Sequence, residues 1–175
     1  MKDKFCSYCG SDFGTNAYPK TCRTCNNITW KNPIPIVVAV ITCFIGCNGD
    51  GCTEYKVLII QRAQDPDKGG WAFAGGFMEM GETVVQATAR EVKEEIGLDI
   101  KDWYLYDTAL SSTGNLLLFM HTTIDIEQAE GLVKTFEPNS EVLAVRLISK
   151  SEELTFPTHT EVLKKVFFPF EQGMI

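Results

Sequence analysis

Within the stretch REVKEEIGL, residues 90–98, three glutamates crowd into five positions: Glu91, Glu94 and Glu95. At about 100° of rotation per helical residue, Glu91 and Glu95 lie about 40° apart and Glu94 falls about 60° to the other side, so one helix face carries all three. Like charges at this spacing repel, and a helix gains from them only when something positive sits above. The plainer alternative is a solvated face neutralised by Arg90 and Lys93. Hard divalent cations such as Mg²⁺ take oxygen ligands and need compensating negative charge, which clustered carboxylates supply.

A second constellation lies near the start of the chain. Cys6 and Cys9, a twelve-residue gap, then Cys22 and Cys25 form two C-x2-C pairs. Each pair offers two thiolates and a tetrahedral Zn²⁺ needs four, so the spacing reads as a zinc ribbon. A redox C-x-x-C needs only one pair and a flanking strand and helix, which this segment lacks; local disulfides are the other competing reading. Such a zinc site is coordinatively full, so it folds the segment and catalyses nothing. Within residues 1–32, Lys2, Lys4, Lys20, Arg23 and Lys31 oppose Asp3 and Asp12, a net +3, and a four-thiolate zinc centre subtracts two. The basic footprint for nucleic acid nearly vanishes. Phe5, Tyr8, Phe13 and Tyr18 read as a miniature core rather than a stacking platform.

The 175 residues, 45% hydrophobic and 22% charged, describe a globular chain long enough to bury a core. A net charge of −7 opposes nucleic-acid binding and would repel a small anionic substrate unless cations accompanied it. Seven cysteines, an odd number, suit a reducing compartment rather than a closed disulfide framework. The apolar run PIPIVVAVITCFIG is too short and too β-branched for a membrane span, and MKDKFCSYCG lacks a signal-peptide core, so a cytoplasmic location is expected.

Stepping along the chain, WKNPIP at 30–35 reads as a linker, dividing a ribbon at 1–32 from a main domain at 33–175. IVVAVITCFI and YKVLIIQR are β-rich runs around the hairpin loop GCNGDGCTE, with Cys47 and Cys52 facing each other as free thiols and Cys43 in the core. A glycine-containing loop at 75–81 leads into the clearest helix, 82–97, whose stripe is Val84, Val85, Thr88, Ala89, Val92 and Ile96 and whose terminator is Gly97. WYLYDTAL and NLLLFMHTTI read as strands around SSTGN, EVLAVRLIS as another, and a last helix falls within 158–168. His121 and His159 have no histidine partner at metal spacing and read as structural or substrate-adjacent. The order predicts a mixed α/β (α+β) fold, a sheet between helices.

Read as one unit, GGFMEMGETVVQATAREVKEEIGL holds Gly76, five residues, Glu82, seven residues, Arg90-Glu91-Val92, Lys93, Glu94-Glu95, Ile96, Gly97 and Leu98. It matches the Nudix hydrolase box, G-x5-E-x7-R-E-U-x-E-E-x-G-U with U aliphatic, at every fixed position. Seven specified residues would coincide by chance about once in 10⁸ to 10⁹ trials. The resemblance implies a Nudix-type α/β/α sandwich with a mixed sheet and catalytic Mg²⁺ or Mn²⁺. It implies Glu91, Glu94 and Glu95 as metal ligands, backbone oxygen from Gly76, and a Glu82–Arg90 ion pair that holds the loop onto the helix. Glu141, before a late strand, stands where many relatives carry a further catalytic or metal-binding glutamate; Ala144 stands where they often carry a second. Glu95, Glu91 and Glu141 all remain open as general base.

A ribbon joined to such a domain through Trp30-Lys31-Asn32-Pro33 resembles two branches of the family. One is the NADH pyrophosphatases, which also remove NAD caps from RNA; their S-Q-P-W-type motif is replaced here by DTALSSTGNLLLFM. The other includes FAD and ADP-ribose pyrophosphatases, similar to this chain in FCSYCG, KNP, the box and LTFPTHTEVLKKV. The expected partner is therefore a small nucleoside diphosphate derivative of the FAD, ADP-ribose or NADH class, split to a nucleoside monophosphate and a second phosphate. Nucleic acid and membrane are not expected as partners, and the resembling groups imply a homodimer. A non-hydrolytic nucleotide-sensing regulator is the alternative outside enzymes, although such domains usually lose glutamates from the box. Phe73, Phe77, Trp103 and Tyr106 are aromatic candidates for base recognition, each with an equal reading as core.

Overall fold

The computed structural model describes residues 4–15, 17–48 and 51–171, with only the backbone path considered at 46–48, 51–54 and 169–171. The chain divides into two compact units, Met1–Pro33 and Ile34–Ile175.

The first unit is built from two near-identical turns. In one, the Cys6 N–H donates to Ser11 O and the Gly10 N–H to Cys6 O; in the other, the Cys22 N–H donates to Asn27 O and the Asn26 N–H to Cys22 O. Gly10 (φ 75°) and Asn26 (φ 60°) take the left-handed conformation at equivalent places, which is why glycine and asparagine follow the cysteines. Two short strands, β1 (Lys20–Thr21) and β2 (Ile28–Thr29), pair antiparallel beside the second turn. The expected aromatic mini-core is only partly formed. Phe13 is buried with Cys6 and Cys22, but Phe5 and Tyr8 are 55% and 81% exposed. A segment this short encloses little volume, and the buried Lys20, its ammonium over the Phe13 and Tyr18 rings, occupies part of it.

In the second unit a mixed sheet carries helices on both faces. Its strands are β3 (Pro35–Asn48), β4 (Gly51–Arg62), β5 (Trp71–Ala72), β6 (Ala74–Phe77), β7 (Tyr104–Leu110), β8 (Leu116–Asp125) and β9 (Val142–Ile148). The helices are α1 (Val84–Ile96), α2 (Ile126–Thr135) and α3 (Pro157–Glu171). β3 is the hub: parallel to β8 along one edge, antiparallel to β6 and then β4 along the other. β9 pairs antiparallel with β4, and β7 with β8.

Alternation along β3 feeds two cores, which is why its sequence is a continuous apolar run. Ala39, Ile41 and Cys43 join Leu58, Ile60 and Met120 under Val92 and Ile96 of α1 and Ala129 of α2. Val38 and Val40 join Val57, Ile59 and Phe119 under Val162, Leu163 and Val166 of α3. A sheet between helices follows, as the element order predicts.

Several boundaries differ from the sequence reading. The β3–β4 ladder runs on through Cys47–Cys52 and Asn48–Gly51, so the hairpin loop is much shorter than GCNGDGCTE; the facing of the two thiols lies outside the described side chains. Residues 75–77, read as loop, form β6, because the backbone of Ile36–Ala39 offers a free edge to pair with. Pro35, read as linker, opens β3. No element was expected at 126–135, where α2 forms although Asp125 makes no side-chain cap and Gly131 weakens the helical pattern. No helix among the described residues is long and apolar enough to cross a membrane.

Candidate metal and catalytic site

α1 starts late and stops sharply, and both ends serve the site. Thr83 is its N-cap: the Thr83 hydroxyl accepts from the Gln86 N–H while the Gln86 side chain accepts from the Thr83 N–H, a reciprocal capping box. Gly97 closes it in the left-handed conformation (φ 75°), its N–H donating to Lys93 O.

This start leaves Glu82 outside the helix, where Arg90 reaches it with a two-point fork: Nε to Oε1 at 2.7 Å and Nη2 to Oε2 at 2.9 Å. Nη2 also donates to Phe77 O at 3.0 Å, and the Glu79 N–H donates to Glu82 Oε2 at 2.9 Å. The pair thus ties the end of β6 and the turn after it to α1. Arg90 holds the Glu82 carboxyl down to about 2, and the carboxylates around Arg90 raise its guanidinium further. Arg90 Nη1 donates to Glu91 Oε1 at 2.8 Å and to Glu94 Oε2 at 3.1 Å.

Glu91 and Glu95 turn inward from α1 onto the glycine pair of β6. The Gly75 N–H donates to Glu95 Oε2 at 2.9 Å. A Cβ at Gly76 would lie 2.5 Å from Glu91 Oε2, and one at Gly75 (φ 146°) would lie 2.1 Å from Val37 O. Backbone leaves no room for a side chain at Gly75, whereas one at Gly76 would push the Glu91 carboxylate aside. Burial raises the Glu91 carboxyl. Burial raises Glu95 further, to about 8; the Gly75 N–H opposes this, and the charges of Glu91 and Glu141 add to it. Glu94 points outward, with 57% of its side chain exposed.

The structure therefore brings Glu91, Glu95, Gly75 and Gly76 together, lets the charge of Glu141 act on the half-buried Glu91 and the buried Glu95, and sets Glu94 at the rim. The donor set is all oxygen, the type a hard dication such as Mg²⁺ or Mn²⁺ takes, with Arg90 and Arg62 as its nearby positive charges; among the described residues these carboxylates do not form a group of three or more within metal reach of one another, as the four cysteines do.

Gly75 joins the site although the box motif does not name it; the Gly-Gly step is the sequence signal of its close backbone approach. Arg62, outside the box, joins it too. It ends β4, and its positive charge reaches Glu95; its guanidinium lies 5.2 Å from the Phe156 ring centroid. Among the aromatic candidates, Phe73 is buried and stacked on His159, and Trp103 is buried with Nε1 donating to Ile100 O, so both belong to the core. Phe77 and Tyr106 are exposed. His121 hydrogen-bonds Thr42 at 3.0 Å, and His159 is buried among Phe73, Phe119 and Phe156.

In the first unit, Cys6 Sγ lies 3.7 Å from Cys25 Sγ and Cys9 Sγ 3.6 Å from Cys22 Sγ, and all four sulfurs lie within 4.8 Å of one another. Sulfurs about 2.3 Å from a tetrahedral Zn²⁺ stand about 3.8 Å apart, so this cluster fits zinc.

The NUDIX domain model matches residues 37–172. The chain belongs to the NUDIX domain family. An ADP-ribose pyrophosphatase from Methanocaldococcus jannaschii is 56% identical over 51 residues, 28% of this chain and 30% of that protein. An NAD-capped RNA hydrolase NudC from Photobacterium profundum is 26% identical over 153 residues, 86% of this chain and 51% of that protein. The chain thus spans about a third to a half of the curated relatives it matches. A NUDIX hydrolase crystal structure from Nitrosomonas europaea superposes with a TM-score of 0.72 at 28% identity, covering 97% of this chain and 93% of that one.

Proposed function

We propose that this NUDIX protein is a divalent-metal-dependent pyrophosphohydrolase that splits a nucleoside diphosphate derivative of the ADP-ribose, FAD or NADH class into a nucleoside monophosphate and a second phosphate. The observation that carries the reading is the approach of the half-buried Glu91 and the buried Glu95 to Gly76 and Gly75, within reach of the charge of Glu141. Such a carboxylate cluster is costly unless a cation compensates it.

In this reading Glu91, Glu94 and Glu95, with backbone oxygen of Gly76, hold Mg²⁺ or Mn²⁺. The bound cations would lower the pKa of an attacking water and offset charge on the diphosphate. Arg90 and Glu82 keep the β6–α1 turn in place. One of Glu95, Glu91 or Glu141 accepts the water's proton, each being a carboxylate at this cluster. Residues 1–32 act as a structural zinc module and residues 33–175 carry the chemistry.

A second substrate reading, NADH or an NAD-capped RNA end, is favoured by the match to NudC across 86% of this chain. The test is a panel of ADP-ribose, FAD, NADH, NAD⁺, diadenosine polyphosphates and capped RNA with Mg²⁺ or Mn²⁺, products resolved by chromatography. Turnover of ADP-ribose, FAD or NADH supports the proposed reaction, and a preference for NADH or capped RNA over ADP-ribose and FAD narrows it to the second reading. Metal-dependent binding without turnover of any member would instead identify a nucleotide sensor.

A further inference from the structure

We infer that Asn139 is a positioning residue that sets the spacing between Glu95 on α1 and Glu141 at the start of β9; the inference rests on the pyrophosphohydrolase reading and deepens it. Asn139 lies in the connection between α2 and β9, and its side-chain amide is shared between two elements. On one side Oδ1 accepts from the Glu141 N–H at 2.9 Å and the Val142 N–H at 2.8 Å. On the other side Nδ2 donates to the backbone carbonyl of Glu95 at 2.9 Å. The Asn139 N–H donates to Val142 O at 2.9 Å, which closes the turn and holds the amide in place.

The Glu95 carbonyl is one of the last four of α1, which have no partner within the helix, so the Asn139 amide satisfies a group that helix geometry leaves open. Glu141 is fixed from its other side as well, its carbonyl accepting from the Ala63 N–H at 2.8 Å at the end of β4. The connection therefore joins the backbone of the most buried box glutamate to the backbone of a glutamate 46 positions further on. Asn139 touches neither carboxylate; it acts through the main chain of both. Asparagine suits the post because it offers an acceptor and a donor on one planar group. Serine could keep the acceptor to the nearby N–H groups, but it is too short to span to α1.

The experiment compares wild type, Asn139→Ser and Asn139→Ala, with Mn²⁺ affinity read by electron paramagnetic resonance and kcat and KM read on the best substrate of the panel. Groups that orient metal ligands indirectly are typically worth about 10–100-fold in affinity or activity. Both variants are expected to lose kcat and Mn²⁺ affinity on that scale, with KM for the nucleotide little changed, while thermal unfolding falls more in Ala, which loses the acceptor of the turn, than in Ser. Asn139→Ser matching wild type in kcat and Mn²⁺ affinity while Asn139→Ala falls would overturn the inference, because then only the local turn matters. Equal, wild-type values in both variants would overturn it too. A wild type that binds Mn²⁺ yet turns over no substrate defeats the pyrophosphohydrolase reading; the positioning claim then stands or falls on Mn²⁺ affinity alone.

Discussion

His159 offers a sharp test of the second core. Its ring is buried among Phe73, Phe119 and Phe156, and its Nδ1 accepts from the Phe73 N–H at 3.3 Å. Burial, helped by the positive charge of Arg62, lowers the ring from an ordinary 6.5 to about 3. Between those values the unfolded chain binds a proton that the folded chain refuses, so stability is fully present above pH 6.5 and falls as pH drops toward 3. The slope is about 1.4 kcal/mol per pH unit, or about 2 kcal/mol lost between pH 7 and pH 5. The perturbation is His159→Gln, which keeps an acceptor near the Phe73 N–H but cannot titrate. Urea unfolding of both proteins at pH 7, 6 and 5, followed by near-ultraviolet circular dichroism, gives two stability curves. Contributions shared by both proteins cancel in their difference. That difference should move by about 2 kcal/mol in favour of the variant between pH 7 and 5. Parallel curves would refute the reasoning, since the histidine would then accept its proton equally in both states.

Three further outcomes are expected. Gly76→Ala must displace the Glu91 carboxylate, because its Cβ would meet Oε2 at 2.5 Å; Mn²⁺ affinity and turnover should fall about 10–100-fold while thermal unfolding shifts little, as only the end of a flexible side chain has to move. Arg90→Lys loses the two-point fork to Glu82 and the bond to Phe77 O; turnover should fall on the same scale, with faster amide exchange at 77–83 read by mass spectrometry. Metal analysis should find about one Zn²⁺ per chain, and its release by a mercurial should unprotect residues 4–33 in amide exchange and leave 34–171 protected.

The helical elements that carry chemistry were legible because their signals are local. The glutamate spacing placed Glu91 and Glu95 on one face, and Gly97 marked the helix end that the left-handed cap provides. The cysteine spacing likewise foretold four sulfurs in reach of one another. What sequence spacing could not show was depth. Glu94 and Glu95 are neighbours in the chain, yet one is largely exposed and the other buried, because only the second meets the Gly75 N–H. The strand at 74–77 was hidden for a related reason: two glycines read as a turn until the free edge of β3 is known. α2 escaped notice because its apolar face is short, with Ala129 its buried residue, and its start has no side-chain cap.

Thr83 starts the helix one residue after Glu82, and this fixes which way a single carboxylate can swing. Were the first turn to wind back by one residue, Glu82 would be carried round the axis by about 100° and its grip on Arg90 would slip. The hydroxyl of Thr83 therefore acts as a stop on the spool. Swapping it for alanine would remove the acceptor for the Gln86 N–H, fray the first turn of α1 and loosen the site without touching any charged group.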